Sequence, residues 1–195
     1  MLLLASTSQS RMAMLRAAGV GFESVAPRVD EEAVKEALAG RPVREIADRL
    51  AEMKAVKVSQ SHRDRWVLGS DSMMALSARE YFDKPGTVEN LRAQLQAMRG
   101  REHRLVSAAV IARDGQPVWR HVEDARLAVR NFSDAWLESY IAASGDAIFG
   151  SAGGYHVEGL GAQLFTRIDG DQFVVRGLPL LAVLGWLRES GEMLI

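Results

Sequence analysis

The sequence predicts an α/β fold built around one mixed sheet. Three observations carry this. Short apolar runs of strand length alternate with segments of helical periodicity. One hairpin signal, Asp114-Gly115, separates two longer apolar stretches in the middle of the chain. The 195 residues amount to about 1.3 average domains, and no internal repeat or low-complexity linker divides them, so residues 1–195 are read as a single domain.

Leu2-Leu3-Leu4-Ala5 is a short buried strand, followed by the hydroxyl-rich Ser6-Thr7-Ser8 and a helix marked by Met12, Leu15 and Ala18 that ends at Gly19. Residues 22–25 form a second strand before Pro27. Over residues 44–59, Ile46, Leu50, Met53 and the stem of Lys57 recur at helical spacing. Residues 66–69 are a strand that stops at Ser70-Asp71. Lys84-Pro85-Gly86 is a turn, and Val88, Leu91, Leu95 and Met98 mark the helix after it, ending at Gly100. Residues 105–112 and 118–129 are the two arms of the hairpin. Ser133 caps a helix carrying Trp136, Leu137, Tyr140 and Ile141. Five glycines between Gly150 and Gly161 mark a loop with special backbone needs. Residues 165–168 and 173–175 are read as strands around Asp169-Gly170. Pro179 suits the first turn of a last helix through Leu180, Leu184 and Leu187, ended by Gly191.

Composition narrows the class. Hydrophobic residues at 48% and charged residues at 25% match a globular fold rather than a disordered chain. A net charge of −1 supplies no global field toward nucleic acid or a membrane, so neither is an expected partner. The absence of cysteine excludes a disulfide scaffold, thiolate chemistry and a Cys-zinc site. The opening MLLLASTSQSR has an apolar run too short for a signal peptide and no basic region before it. Other apolar runs fall short of the roughly 18 residues of a membrane span. A cytoplasmic protein is expected.

Several chemistries are missing. There is no Walker-type phosphate loop, no G-x-G-x-x-G and no G-x-S-x-G. His62, His103, His121 and His156 are too scattered for a zinc pair on one helix face. What remains is a set of charges at strand ends and loop edges. Asp71 follows an apolar strand, where open α/β sheets place their ligands. Ser8 and Arg11 lie where a strand feeds a helix N-terminus, a natural anion site. Lys54, Lys84 and Glu31 complete the set, and only four of the 24 basic residues are lysine, which gives each lysine weight. The same residue types serve equally as a turn acid (Asp71), a helix cap (Ser8), a snorkelling stem (Lys54), a surface turn (Lys84) and a solvated helix start (Asp30-Glu31-Glu32). Together they supply cations for a polyphosphate and carboxylates for a hard divalent metal.

The runs LASTSQSRMAML, LAEMKAVKV, VLGSDSMM, FDKP, MRGREHRLVSAAVI and SAGGYHVEGLGAQLFTRIDGD…GLPLLAVL stand in one order from Leu2 to beyond Leu181. That ordered set resembles the Maf-like nucleoside triphosphate pyrophosphatases. The resemblance implies an elongated, bent mixed sheet flanked by helices, with two lobes around a cleft, as in inosine-triphosphatase-like enzymes. It places Asp71 at the family's catalytic acid, Arg11 and Ser8 in its phosphate loop, Lys54 and Lys84 at its two cleft lysines, and Ser72 in the substrate-binding set. Glu31 matches its upstream acid, so Asp71 and Glu31 would hold Mg²⁺ or Mn²⁺.

Two departures are visible. Gln9-Ser10-Arg11 stands where the family usually has Pro-Arg-Arg, and residues 76–81 lack a glycine that many members carry. Glu158 stands where the thymidine and uridine triphosphate branch has glutamine, and EGLG followed by LF resembles the 7-methyl-GTP branch. An ionised carboxylate suits the adjacent N–H donors of guanine, and methylation at N7 adds positive charge to the base that a carboxylate favours further. The expected activity is hydrolysis of a modified nucleoside triphosphate, 7-methyl-GTP first, to monophosphate and pyrophosphate. The alternatives are a dTTP/UTP pyrophosphatase and a nucleotide-binding regulator of cell division with little turnover. A homodimer is compatible with the resemblance.

Overall fold

The computed structural model describes residues 1–193. Its centre is a seven-stranded mixed sheet. The chain enters as β1 (Leu2–Ala5), passes through α1 (Gln9–Ala17) and returns as β2 (Phe22–Ser24). Then come α2 (Glu31–Ala37), α3 (Val43–Ser61), β3 (Val67–Ala75) and the short β4 (Tyr81–Phe82). After α4 (Val88–Met98), the long hairpin of β5 (Glu102–Arg113) and β6 (Gln116–Val129) leads to α5 (Asp134–Ser144). The chain closes with β7 (Phe165–Asp169), α6 (Gln172–Val175) and α7 (Leu180–Glu189). The strand order is β2-β1-β3-β5-β6-β7, with β4 pairing β3. β1 runs parallel to β2 and β3, and the remaining pairs are antiparallel.

Strand alternation sorts the side chains onto two faces. Leu2, Leu4 and Leu68 pack with Met12, Leu15, Val183 and Leu187 under α1 and α7. Leu3, Ala5 and Val67 pack against Val58 of α3. Further along the same face, Met73, Ala75, Ala108 and Val110 meet Ile46, Ala47, Leu50 and Ala51. A separate cluster fills the far end, where Met74, Leu91, Leu95 and Met98 join Phe132, Tyr140, Tyr155 and Leu164.

Helix α3 turns Val43, Ile46, Ala47, Leu50, Ala51, Lys54, Ala55 and Val58 inward at helical spacing. Its small residues let it lie against β3 almost backbone to backbone. A Cβ added at Gly69 would stand 2.2 Å from the Ala51 carbonyl oxygen and 2.6 Å from the Ala55 nitrogen. A glycine inside a strand marks such a close approach.

Two sequence expectations are corrected, and a third is refined. The strand after Trp66 does not stop at Ser70-Asp71; it continues to Ala75, because antiparallel pairing with β5 carries on through Asp71 opposite Ala108. Residues 173–175, read as a strand, form helix α6, whose N-cap Asp171 accepts from the Phe173 N–H at 2.9 Å. Three apolar residues in a row fit either state, and the cap decides between them. The glycine-rich segment is a loop tightened by two 3₁₀ turns, at Asp146–Gly150 and Leu160–Leu164.

That loop is anchored from the core. Tyr140 Oη donates to the Gly154 carbonyl at 3.0 Å. His103 Nε2 lies 2.6 Å from Tyr155 Oη, and its buried Nδ1 has no hydrogen-bond partner among the described residues. Burial pushes the His103 pKa from 6.5 down to about 4. The unfolded chain therefore takes up a proton between these values while the folded chain does not. Stability should be full above pH 6.5 and fall progressively toward pH 4, by about 3 kcal/mol for this group. Urea midpoints from pH 7.5 to 4.5 check it: His103→Phe should show a shallower pH dependence, and an identical slope would remove His103 as the cause.

Candidate active site

The site arises from a mismatch in strand length. β1 ends at Ala5, opposite Gly69, while β3 runs on to Ala75, and β4 pairs only with Met74 and Ala75. Between these pairings, residues 70–73 present one edge that neither neighbour covers, beyond the carboxyl end of a parallel strand. Open α/β sheets place ligands at such a position.

Alternation along β3 then distributes the chemistry. Asp71 points with Val67 and Met73 toward α3 and is only 6% exposed. Lys54, in the buried stripe of α3, donates to Asp71 Oδ1 at 2.6 Å and reaches Glu31 Oε1 at 2.7 Å. One ammonium thus bridges two carboxylates from elements 23 and 17 positions away in sequence. Ser70 and Ser72 face the other side. Ser70 Oγ donates to the Gly177 carbonyl at 3.2 Å, and Ser72 Oγ lies 3.1 Å from Ser107 Oγ.

Arg11 approaches from the first turn of α1. Its Nε donates to the Gly177 carbonyl at 2.8 Å and its Nη1 to Ser6 Oγ at 3.3 Å. Ser8 caps α1, accepting from the Arg11 backbone N–H at 3.4 Å. Burial lowers the Arg11 pKa against the pull of Asp71 and Glu31. A guanidinium remains charged throughout the physiological range regardless.

The two carboxylates are pushed apart. Burial raises the Asp71 pKa, and its effect exceeds the opposing pull of Lys54 and Arg11. Burial also acts upward on Glu31, but Lys54, with Lys84 and Lys35 beyond it, outweighs that and leaves the pKa lowered. The split leaves Asp71 the more readily protonated of the two and Glu31 the more firmly ionised.

Of the sequence-predicted set, the structure brings Asp71, Lys54, Glu31 and Arg11 together, with Ser8 and Ser72 beside them. Lys84 lies exposed at the rim, where its charge still reaches Glu31. Glu158 stands apart on the glycine loop, 3.6 Å from Arg176 Nε. Sequence reasoning did not single out Ser6, Ser70, Arg176 or Gly177. Gly177 opens the GLPL run already noted and Arg176 precedes it, but nothing in their spacing pairs them with α1 or β3. A groove of about 760 Å³ between α2 and α3, lined by Val29, Ala33, Val34, Met53 and Val56, includes none of the predicted site residues.

The donor set can be tested against Mg²⁺ or Mn²⁺. Two oxygen ligands, Asp71 and Glu31, suit such an ion, which characteristically takes one or two carboxylates and completes its shell with water and phosphate. Among the described residues, no group of three or more acidic, histidine or cysteine side chains converges to hold a metal without a substrate. The chemistry therefore fits a metal carried with a polyphosphate. No helix among the described residues is long and apolar enough to cross a membrane.

Curated relatives resemble the chain along its length. A nucleoside triphosphate pyrophosphatase of Caulobacter vibrioides is 50% identical over 98% of this chain and 96% of the relative. Those of Paramagnetospirillum magneticum and Sphingopyxis alaskensis are each 47% identical, over 98% and 97% of this chain and 99% and 97% of theirs. Among solved structures, a nucleoside-triphosphatase (dITP/XTP pyrophosphatase) of Mycobacterium abscessus aligns over 97% of this chain and 94% of its own, at 18% identity and a TM-score of 0.42, too distant a likeness to argue from. The family model described as Maf-like protein matches residues 1–190. With that match on top of the ordered motifs and the relatives, the chain belongs to the Maf-like protein family.

Proposed function

We propose that the protein is a nucleoside triphosphate pyrophosphatase, cleaving a triphosphate and water to a nucleoside monophosphate and pyrophosphate. The observation that carries this reading is the buried Asp71, its pKa raised, held by Lys54 at 2.6 Å on an uncovered strand edge beside Arg11. Such an arrangement has a proton acceptor and cations together, which is what attack of water on a phosphoanhydride needs. The names of the relatives agree with it.

In this mechanism Asp71 accepts the proton of the attacking water as the new P–O bond forms at the α,β-anhydride. The bond to pyrophosphate breaks, and its electrons leave with that group. Lys54 and Arg11 stabilise the charge that develops on the phosphoryl oxygens, and Lys84 meets the leaving group at the rim. Glu31 keeps Lys54 oriented. A bound Mg²⁺ or Mn²⁺, held by Asp71 and Glu31, would neutralise phosphate charge. Rate should rise with pH as Asp71 ionises, since only the carboxylate accepts a proton.

The favoured substrate is 7-methyl-GTP, with Glu158 accepting from the guanine N–H groups. The test is pyrophosphate release from 7-methyl-GTP, GTP, UTP and dTTP, with and without EDTA. Glu158→Gln should lower the preference for 7-methyl-GTP over UTP and dTTP by about 10-fold to 100-fold. Unmoved ratios would remove Glu158 as selector. Nucleotide binding without release would favour the cell-division regulator. Release undiminished by EDTA would leave Lys54 and Arg11 as the operative cations.

A further inference from the structure

Glu158 is linked to the cleft through one residue. Arg176 Nε, 3.6 Å from Glu158 Oε1, is buried without a hydrogen-bond partner among the described residues. The Arg176 carbonyl accepts from Ser10 Oγ at 3.0 Å, which ties this backbone to the first turn of α1. The next residue, Gly177, offers the carbonyl that Arg11 and Ser70 share. It also lies against β3, where a Cβ would stand 3.5 Å from the Ser72 Cβ, an ordinary contact. The Arg176 side chain is 27% exposed and that of Glu158 47%, so both remain within reach of a ligand. Their separation exceeds a hydrogen bond, so the contact leaves hydrogen-bonding capacity on each.

A guanidinium beside a carboxylate sets donors next to acceptors. We propose that Arg176 and Glu158 read the base as a pair, Arg176 donating to a ring carbonyl while Glu158 accepts from the adjacent ring N–H. This rests on the nucleotide reading above and deepens it. A carbonyl beside an N–H is the edge shared by guanine, at O6 and N1, and by uracil and thymine, at O4 and N3. Adenine and cytosine reverse it, with an amino donor beside a bare ring nitrogen. Against those bases Arg176 meets a donor and Glu158 meets a lone pair, and two mismatched polar contacts reject more strongly than one missing contact. Within the keto class, the second oxygen of Glu158 accepts from the guanine 2-amino group but faces a carbonyl, O2, in uracil and thymine. Arg176 therefore separates keto from amino bases, and Glu158 separates guanine from the pyrimidines.

The experiment measures binding of the α,β-methylene analogues of GTP, UTP, CTP and ATP, with turnover of the parent triphosphates in parallel. Wild type should favour GTP and UTP over CTP and ATP. Arg176→Ala should weaken the two keto analogues by about 10-fold to 100-fold and the amino ones by less than about 3-fold. Arg176→Gln, which keeps a donor, should recover part of the loss and checks against a folding defect. An equal loss for all four nucleotides would assign Arg176 to phosphate or to fold maintenance and overturn the pair, as would unchanged ratios. Keto-selective, Arg176-dependent binding without pyrophosphate release supports the pair while overturning the hydrolase reading. No binding of any analogue by folded wild type overturns both.

Discussion

Asp71→Asn should reduce pyrophosphate release by about 100-fold to 10,000-fold, the range for a removed general base. Binding of a non-hydrolysable nucleotide should stay within about tenfold of wild type, because the shape of the side chain is kept and most phosphate cations are untouched. The amide oxygen can still accept from Lys54, whose bond to Asp71 Oδ1 is 2.6 Å in the parent. What it cannot do is take a proton. Stability should suffer little, since burial already works against the charged form of Asp71. Single-turnover release and analogue binding on the same preparation separate these effects. Release near the wild-type rate would mean that another group accepts the proton.

The second large effect is expected at Lys54. Its ammonium joins Asp71 and Glu31, and the residue is only 5% exposed. Lys54→Ala leaves two carboxylates facing each other with one buried. Breaking a buried ion pair on one side costs about 3–5 kcal/mol when the orphaned charge persists. Asp71 can relieve part of this by protonating, but the protonated acid no longer serves as a base. Catalytic efficiency should therefore fall by about 10-fold to 1,000-fold, and the rising limb of the pH profile should move to higher pH as Asp71 loses the cation that favours its ionised form. Lys84→Ala, at an exposed position, should cost a comparable loss of activity while changing stability by less than about 0.5 kcal/mol. Urea midpoints with pH–rate profiles of both variants make the contrast. A Lys54→Ala protein with a wild-type pH profile would dissociate Lys54 from Asp71 ionisation.

Much of this architecture was legible from the chain because its signals are local. Ser8 and Ser133 cap the helices they precede, and Asp114-Gly115 makes the hairpin turn. The four-residue spacing of Ile46 and Leu50 announced α3. The errors sit where local signals are ambiguous. Asp71 looks like a strand terminator because a charged residue follows an apolar run, yet pairing with β5 and the counter-charge of Lys54 keep it inside the strand. Phe173-Val174-Val175 carries no periodicity of its own. The site shows the same division. Asp71, Lys54 and Arg11 were reached by residue type and order, whereas the Lys54 bridge to Glu31 and the Arg176 contact with Glu158 join distant segments, and no spacing encodes them.

The contact at Gly69 bears on how this enzyme can be altered. A side chain at position 69 would meet main-chain atoms first, the Ala51 carbonyl and the Ala55 nitrogen, and then the already minimal Ala55 methyl. Most packed interfaces can drift under mutation because volume lost on one side is made up on the other. This one has no such slack, so the separation between Lys54 and Asp71 is inherited from backbone geometry. A saturation library should accordingly find position 69 closed to every residue but glycine.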